Sequence, residues 1–415
     1  MAKLAIKGST PVRSEPYPVW PVWDNREVDA ARRVIESGKW GMAHGTSVKE
    51  FEERFARYQD AAFGIATSSG STALRAALLA AGLEAGSEVI VPAYTFVASA
   101  TTVLEANCVP VFADIDPDTY VLDPACVEKV ITERTRAIMP VHLAGIPVDM
   151  DGLQKLARDK GIVLIEDACQ AWGSEYKGRK TGALGLAGAF SFQSSKHITA
   201  GEGGIVVSND KEFAEVCASV VNCGRSAGGA WHSHVRLGGN YRLSELQAAV
   251  ILVQLERYEE LLSRRREAAR YLVDRLSNID GIRVPGLPEY VTSCSWHFFT
   301  LRYDPRAFGG VPKADFIKAL NAEGIKPAHG GYFAPIYRQQ FLLEKNVGAY
   351  NRIHSHEFGG KVIDYADFYC PVTEKACESE AVWLLQNLLL GERESLDDIV
   401  RAVEKIRENF GELLG

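Results

Sequence analysis

The chain is expected to adopt an α/β fold, in which a large domain with a mostly parallel sheet flanked by helices precedes a smaller C-terminal α+β domain. Two observations predict it. Between about residues 60 and 210, short apolar runs alternate with amphipathic helical patterns, which is how a parallel sheet covered by helices is written in sequence. The length of 415 residues also exceeds what a single core usually serves, so a second, smaller unit is expected after the first.

In chain order, a Pro/Trp-rich arm (PYPVWPVW) and a helix over 47–58 come first, and the arm is placed to wrap a partner subunit or the small domain. The strand runs follow as FGIAT, EVIVP, VPVFADI, AIMPVHL, IVLIEDA, GAFSFQ and GIVVS. Helices are predicted between them over 72–81, 93–106, 124–132 and 150–160, each with apolar residues three and four apart. A long Glu/Arg/Leu-rich helical pattern over 244–276 links this core to the C-terminal unit. There SWHFFTLRY reads as a strand, and 313–323, 379–388 and 396–409 read as helices. The division is set at 1–260 for the arm and large domain and 261–415 for the linker helix and small domain, with a soft boundary near Asp280.

Composition narrows the function. A net charge of -7 and a pI near 5.8 supply no basic field for nucleic acid or an anionic membrane surface. No run approaches a membrane span, and MAKLAIKGSTPVR lacks a signal-peptide core, so a cytoplasmic location is expected. The eight cysteines form no Cys-x-x-Cys pair and no zinc-spaced cluster with histidine, which reads as reduced structural thiols and no metal site.

The chemistry lies in four separated segments: SSGSTAL at 68–74, Asp167 at the end of a buried strand, Lys196 in SFQSSK, and GEGG at 201–204. Pyridoxal 5'-phosphate (PLP) needs such parts: a lysine amine for its aldehyde, a carboxylate for its ring nitrogen, a flat partner for its ring, and donors for its phosphate. Ser69, Gly70 and Ser71 fall between a strand and a helix, where free backbone N–H groups and the helix dipole hold an anion. Asp167 ends a strand where open α/β sheets place ligands, and a buried carboxylate there needs a cation or donors. Gln170 can reach the cofactor's ring hydroxyl, and a desolvated Lys196 would be nucleophilic. Singly, each has a plainer reading as a helix cap, a loop cap, a structural amide or a surface lysine. It is their order that favours the cofactor.

From residue 38 to 256 the chain resembles the DegT/StrS sugar aminotransferases of PLP fold type I. The matching segments are GKWGMAHGT, SSGSTAL, EVIVPAYTFVAS, PVFADIDPDTYVLDP, AIMPVHLAG, EDACQAWGSEYKGRKTG, FSFQSSKHITAGEGG and GGNYRLSELQAA. The resemblance implies that Lys196 binds PLP covalently and that Asp167 pairs with the pyridine nitrogen. It also implies that Phe96 stacks on the ring, that Gln170 meets the ring hydroxyl, and that Gly70, Ser71 and Ser191 hold the phosphate. Asn240, in GGNYR, matches a residue lent across a homodimer interface, so shared active sites are implied.

Two departures refine this. Many members carry Asn-Gly-Thr where this chain has Ser69-Gly70-Ser71, which keeps the donors. In place of a His-Tyr-x-Pro-Leu-His pattern, GGYFAPIYRQ with Phe333, Tyr337 and Arg338 looks like the aminohydroxybenzoate synthases and the cyclitol (inosose) aminotransferases, as do Cys223-Gly224-Arg225 and Trp40. Glutamine or glutamate is then the expected amino donor and a cyclitol or sugar ketone the acceptor, with Trp40, His329, Tyr332, Tyr337 and Arg338 as candidate substrate contacts. A nucleotide keto-sugar acceptor is the alternative. Two rivals differ in kind. A dehydratase goes with histidine in place of the lysine, and here Lys196 is present with His197 after it. A catalytically idle homologue conflicts with intact Lys196, Asp167 and Gln170.

Overall fold

The computed structural model describes residues 3–230, 232–348 and 363–414. The arm packs on the C-terminal part of the chain: Leu4 is buried there, the backbone N–H groups of Ala5 and Val12 donate to Glu323, and Arg13 pairs with Asp398 at 3.0 Å. It then leads into α1 (Asn25–Ser37), closed by a capping box between Asp24 and Glu27, and α2 (Ser47–Tyr58).

The main sheet has seven strands: β1 (Phe63–Thr67), β2 (Glu88–Pro92), β3 (Val109–Ala113), β4 (Thr135–Ile138), β5 (Val163–Asp167), β8 (Ala187–Ser191) and β9 (Gly204–Ser208), in the order β1-β9-β8-β5-β4-β2-β3. Only β9 runs antiparallel to its neighbours, so the sheet is mostly parallel as expected. All five residues of β2, of β3 and of β8 are buried, which is why these strands read as continuous apolar runs rather than alternating ones. Between β5 and β8 lies the short hairpin β6 (Glu175–Tyr176) and β7 (Arg179–Lys180).

The flanking helices are α3 (Gly70–Ala80), α4 (Ala98–Glu105), α5 (Pro124–Val130), α6 (Met150–Lys160) and α7 (Lys211–Val221). Along α3, Ala73, Ala76 and Ala77 are fully buried, and their small side chains let its backbone lie close against the sheet. The helix predicted over 93–106 begins only at Ala98, leaving Thr95 and Phe96 on a loop at the strand end.

The pattern over 244–276 divides into α8 (Glu245–Glu256) and α9 (Tyr258–Leu276). The break falls where the burial changes. α8 buries apolar residues on nearly every side between α1 and α2, whereas α9 buries one face, and Arg257 at the joint pairs with Glu27 at 2.7 Å.

The C-terminal part builds a four-stranded sheet in the order β10-β12-β14-β13, from β10 (Ile282–Arg283), β12 (Phe298–Tyr303), β13 (Ala328–His329) and β14 (Ala381–Leu385), while β11 (Val291–Ser293) pairs with β6. Its helices are α10 (Lys313–Ala322), α11 (Gln340–Leu343), α12 (Pro371–Lys375) and α13 (Arg393–Asn409). The helix expected over 379–388 is corrected: Ala381–Leu385 is a strand, paired on one side with β12 and on the other with β13. A five-residue apolar run does not separate strand from buried helix by period, and two strand partners decide it. One hydrophobic cluster joins Ile90 and Ile138 of the main sheet to Leu301 and Val382 of the smaller one, so both sheets share a core.

Candidate active site

Because β1, β8, β5 and β2 all point the same way, their C-terminal ends share one edge of the sheet, with the start of β9 beside them. Open α/β sheets bind ligands at this edge. A cavity of about 420 Å3 opens there, within the range of small-molecule sites.

Ser69 caps α3 by accepting from the Thr72 N–H at 3.1 Å, and Thr72 Oγ1 accepts in return from the Ser69 N–H at 2.9 Å. The Gly70 and Ser71 N–H groups make no hydrogen bond among the described residues, so the helix offers two free donors to the cavity. A side chain at position 70 would put its Cβ 2.6 Å from the Ser191 Cβ, so only glycine lets the α3 turn and the β8 end meet.

Asp167, at the end of β5, is 6% exposed. Its Oδ2 accepts from Ser99 Oγ at 2.8 Å and its Oδ1 from the Cys169 N–H at 3.2 Å. The preceding residue, Glu166, points to the other face, where it accepts from the N–H groups of Gly182, Leu184 and Gly185 and pairs with His142 at 2.9 Å. The strand end is thereby pinned. Gln170 accepts from the Ala144 N–H at 2.8 Å.

Lys196 stands on a turn closed by its own N–H to the Gln193 carbonyl at 2.9 Å, and Trp20 of the arm donates to the Ser194 carbonyl at 3.1 Å. No hydrogen bond or ion pair engages its ammonium among the described residues. Burial pulls its pKa down, against the raising influence of Cys169 and Asp167, which favours the free amine. The smaller sheet closes the cavity with His297, Phe298 and Trp383, joined by Tyr332 from the loop after β13.

Of the residues predicted from sequence, Ser69, Gly70, Ser71, Phe96, Asp167, Gln170, Ser191, Lys196 and Tyr332 line this one cavity. Phe96, 57% exposed, presents an uncovered ring to it. Four candidate substrate contacts do not line this cavity. Tyr337 is fully buried in the core of the large sheet, donating to Glu374 at 2.8 Å and accepting from the Cys370 N–H at 2.9 Å. Arg338 turns to Glu374 at 3.4 Å, away from the cavity. His329 packs against Trp383, and Trp40 lies outside on the surface, donating to the Ile35 carbonyl at 3.2 Å. Phe333, in the same loop, is 82% exposed. Asn240 is also outside this cavity, exposed and bridged to Asn222.

Sequence reasoning missed Ser99, His297, Phe298 and Trp383. Ser99 follows Phe96 by three residues, the spacing at which one turn of chain can bring both to one side, and SWHFF carries only a strand pattern. Among the described residues no group of three or more His, Cys, Asp or Glu side chains is placed to hold a metal, and no helix is long and apolar enough to cross a membrane.

The DegT/DnrJ/EryC1/StrS aminotransferase family model matches residues 21–363. The chain belongs to this family. Being a DegT-family aminotransferase, it is similar along its whole length to enzymes of Streptoalloteichus tenebrarius and Streptomyces paromomycinus, both named L-glutamine:2-deoxy-scyllo-inosose aminotransferase. The first is 36% identical over 432 residues and the second 37% over 426, each covering 99% of both chains. A second S. tenebrarius protein, provisionally named L-glutamine:3-amino-2,3-dideoxy-scyllo-inosose aminotransferase, is 38% identical over 99% of both chains. Among solved structures, 3-amino-5-hydroxybenzoic acid synthase superposes with a TM-score of 0.82 at 32% identity, covering 97% of this chain and 100% of that one. These matches bear out the fold, the enzyme class and the resemblance to the cyclitol and aminohydroxybenzoate branch.

Proposed function

We propose that this aminotransferase binds PLP through Lys196 and moves the amino group of glutamine onto the ketone of a cyclitol. The observation that carries the reading is one cavity holding, among the described residues, an unpaired lysine amine, a buried carboxylate and a helix N-terminus with two free N–H groups. This donor set fits the cofactor: Gly70, Ser71 and Ser191 for its phosphate, Asp167 for its ring nitrogen, Phe96 for its ring face and Gln170 for its ring hydroxyl. The relatives' names supply the donor and the class of acceptor.

When bound, PLP supplies an electron sink for the bonds at the donor's amine-bearing carbon. Asp167 holds the proton on the ring nitrogen that makes this possible. Lys196 would hold the cofactor, and its amine, when free, would be the base that takes the proton from that carbon and the acid that delivers one on the acceptor's side. The donor leaves as a keto acid before the ketone enters, which is a ping-pong sequence. Phe298, Tyr332 and Trp383 wall the cavity on the small-sheet side.

The reading includes a homodimer in which Asn240 of one subunit completes the phosphate site of the other, a division of the chain near residue 260, and a cytoplasmic location in which the free cysteines stay reduced. Mixing Lys196→Ala chains with Asn240→Ala chains tests the central parts together. Heterodimers should regain activity that neither homodimer has, and Lys196→Ala alone should lose the visible absorption of the lysine-linked cofactor. No regained activity contradicts the shared site, and retained absorption contradicts the lysine.

A further inference from the structure

The four residues on the small-sheet side of the cavity form one aromatic assembly. Phe298, half-buried at the start of β12, stacks on Trp383 of β14 with ring centroids 4.3 Å apart and planes at 14°. Tyr332 meets the same indole edge-on at 4.9 Å and 82°, and His297 packs against Phe298 at 4.3 Å. Trp383 is fixed from both sides, since it pairs in register with Thr300 of β12 and with His329 of β13. Gly331, at φ +68°, adds a close fit from the loop: a Cβ there would lie 2.9 Å from the indole Cε2. Among the described residues the buried Trp383 indole N–H has no hydrogen-bond partner. Trp383 is 3% exposed, so it presents little surface of its own and serves as the backing that holds the Phe298 ring in place.

A six-membered polyol with mostly equatorial hydroxyls has a polar rim and two C–H faces. A flat aromatic surface covers such a face, while polar groups around it serve the rim. The cavity holds both kinds of group: Phe298 supplies a flat surface, and the polar side chains of Gln193, Glu202 and Tyr332 line the same cavity. Phe96, which also lines the cavity, comes from the large-sheet side and is assigned to the cofactor in the reading above. We propose that Phe298, held by Trp383, is the platform on which the acceptor's ring face lies, and that it selects a small keto-cyclitol. This rests on the cyclitol reading above. Linear glutamine has no ring face to offer, so the platform acts on the acceptor far more than on the donor.

The test measures the two half-reactions separately on the holoenzyme: glutamine with the PLP form, and a keto-inositol with the amino form of the cofactor. Phe298→Leu keeps an apolar side chain in β12 but removes the flat face. It should lower kcat/KM for the keto-inositol about tenfold more than kcat/KM for glutamine, mainly through KM, and Phe298→Tyr should restore most of the loss. Equal falls in both half-reactions, or no fall in the ketone half-reaction, would overturn the platform. A wild-type enzyme that accepts glutamine but no keto-cyclitol would instead overturn the cyclitol reading beneath it.

Discussion

Ser99 Oγ donates to Asp167 Oδ2 across 2.8 Å, and Thr95 Oγ1 lies 3.1 Å from the same Ser99 hydroxyl. This relay holds the carboxylate plane with one oxygen fixed by Ser99 and the other by the Cys169 N–H. Ser99 is therefore a positioning residue, and Asp167 is the group expected to touch the cofactor. Ser99→Ala should lower transamination by about tenfold and shift the absorption of the bound cofactor, because a freed carboxylate holds the ring proton less firmly. Asp167→Asn should keep the cofactor bound yet lose most transamination, since a neutral amide cannot hold that proton. Absorption spectra and half-reaction rates of both variants check this.

Gly70→Val should abolish tight cofactor binding while leaving the chain folded. The added carbons would push Ser191 from the end of β8 and spread the two groups meant to hold the phosphate. Cofactor retained through dialysis, compared with the far-ultraviolet spectrum, is the measurement.

The pH dependence of stability has an identifiable source in Glu52. Burial pushes its carboxyl up to about 7, even though it accepts from the Ala66 N–H at 2.8 Å. A raised carboxyl pKa means that the folded chain holds this proton more tightly than the unfolded chain does. Its contribution is therefore complete below the ordinary value of 4.5 and is lost as pH rises through about 7. Glu52→Gln, which mimics the protonated form, should gain on the order of 2 kcal/mol over the wild type at about pH 8 and little at about pH 5. Thermal unfolding at the two pH values reads the difference, and parallel curves would contradict it.

Tyr337→Phe separates core from site. It removes the bonds to Glu374 and the Cys370 N–H, so it should cost about 1–2 kcal/mol of stability. The specificity constant for the acceptor should stay within about twofold, because Tyr337 does not reach the cavity. Denaturant unfolding with steady-state kinetics distinguishes the two effects.

The large-sheet side of the site was legible because its residues are local. Ser69 to Ser71, Asp167, Gln170 and Lys196 each sit at a strand end, and strand ends can be read from a short apolar run followed by turn residues. The opposite wall was not. His297, Phe298 and Trp383 meet only through the pairing of β12 with β14, and the AVWLL run gives no period from which to see that pairing. Tyr337 and Arg338 were singled out by likeness of phrase, yet the phrase does not say which way a side chain turns, and here both turn to Glu374. The break between α8 and α9 escaped for a similar reason. Helix propensity continues through Arg257, and only burial between α1 and α2 ends the first helix.

The acceptor is decided by the ratio of specificity constants for a keto-inositol and a nucleotide-linked keto-hexose, with glutamine as donor. A ratio of about tenfold or more in favour of the keto-inositol is predicted, because kcat/KM reports differential binding of the transition state in this aromatic-walled cavity. A clear preference for the nucleotide sugar would contradict the cyclitol reading.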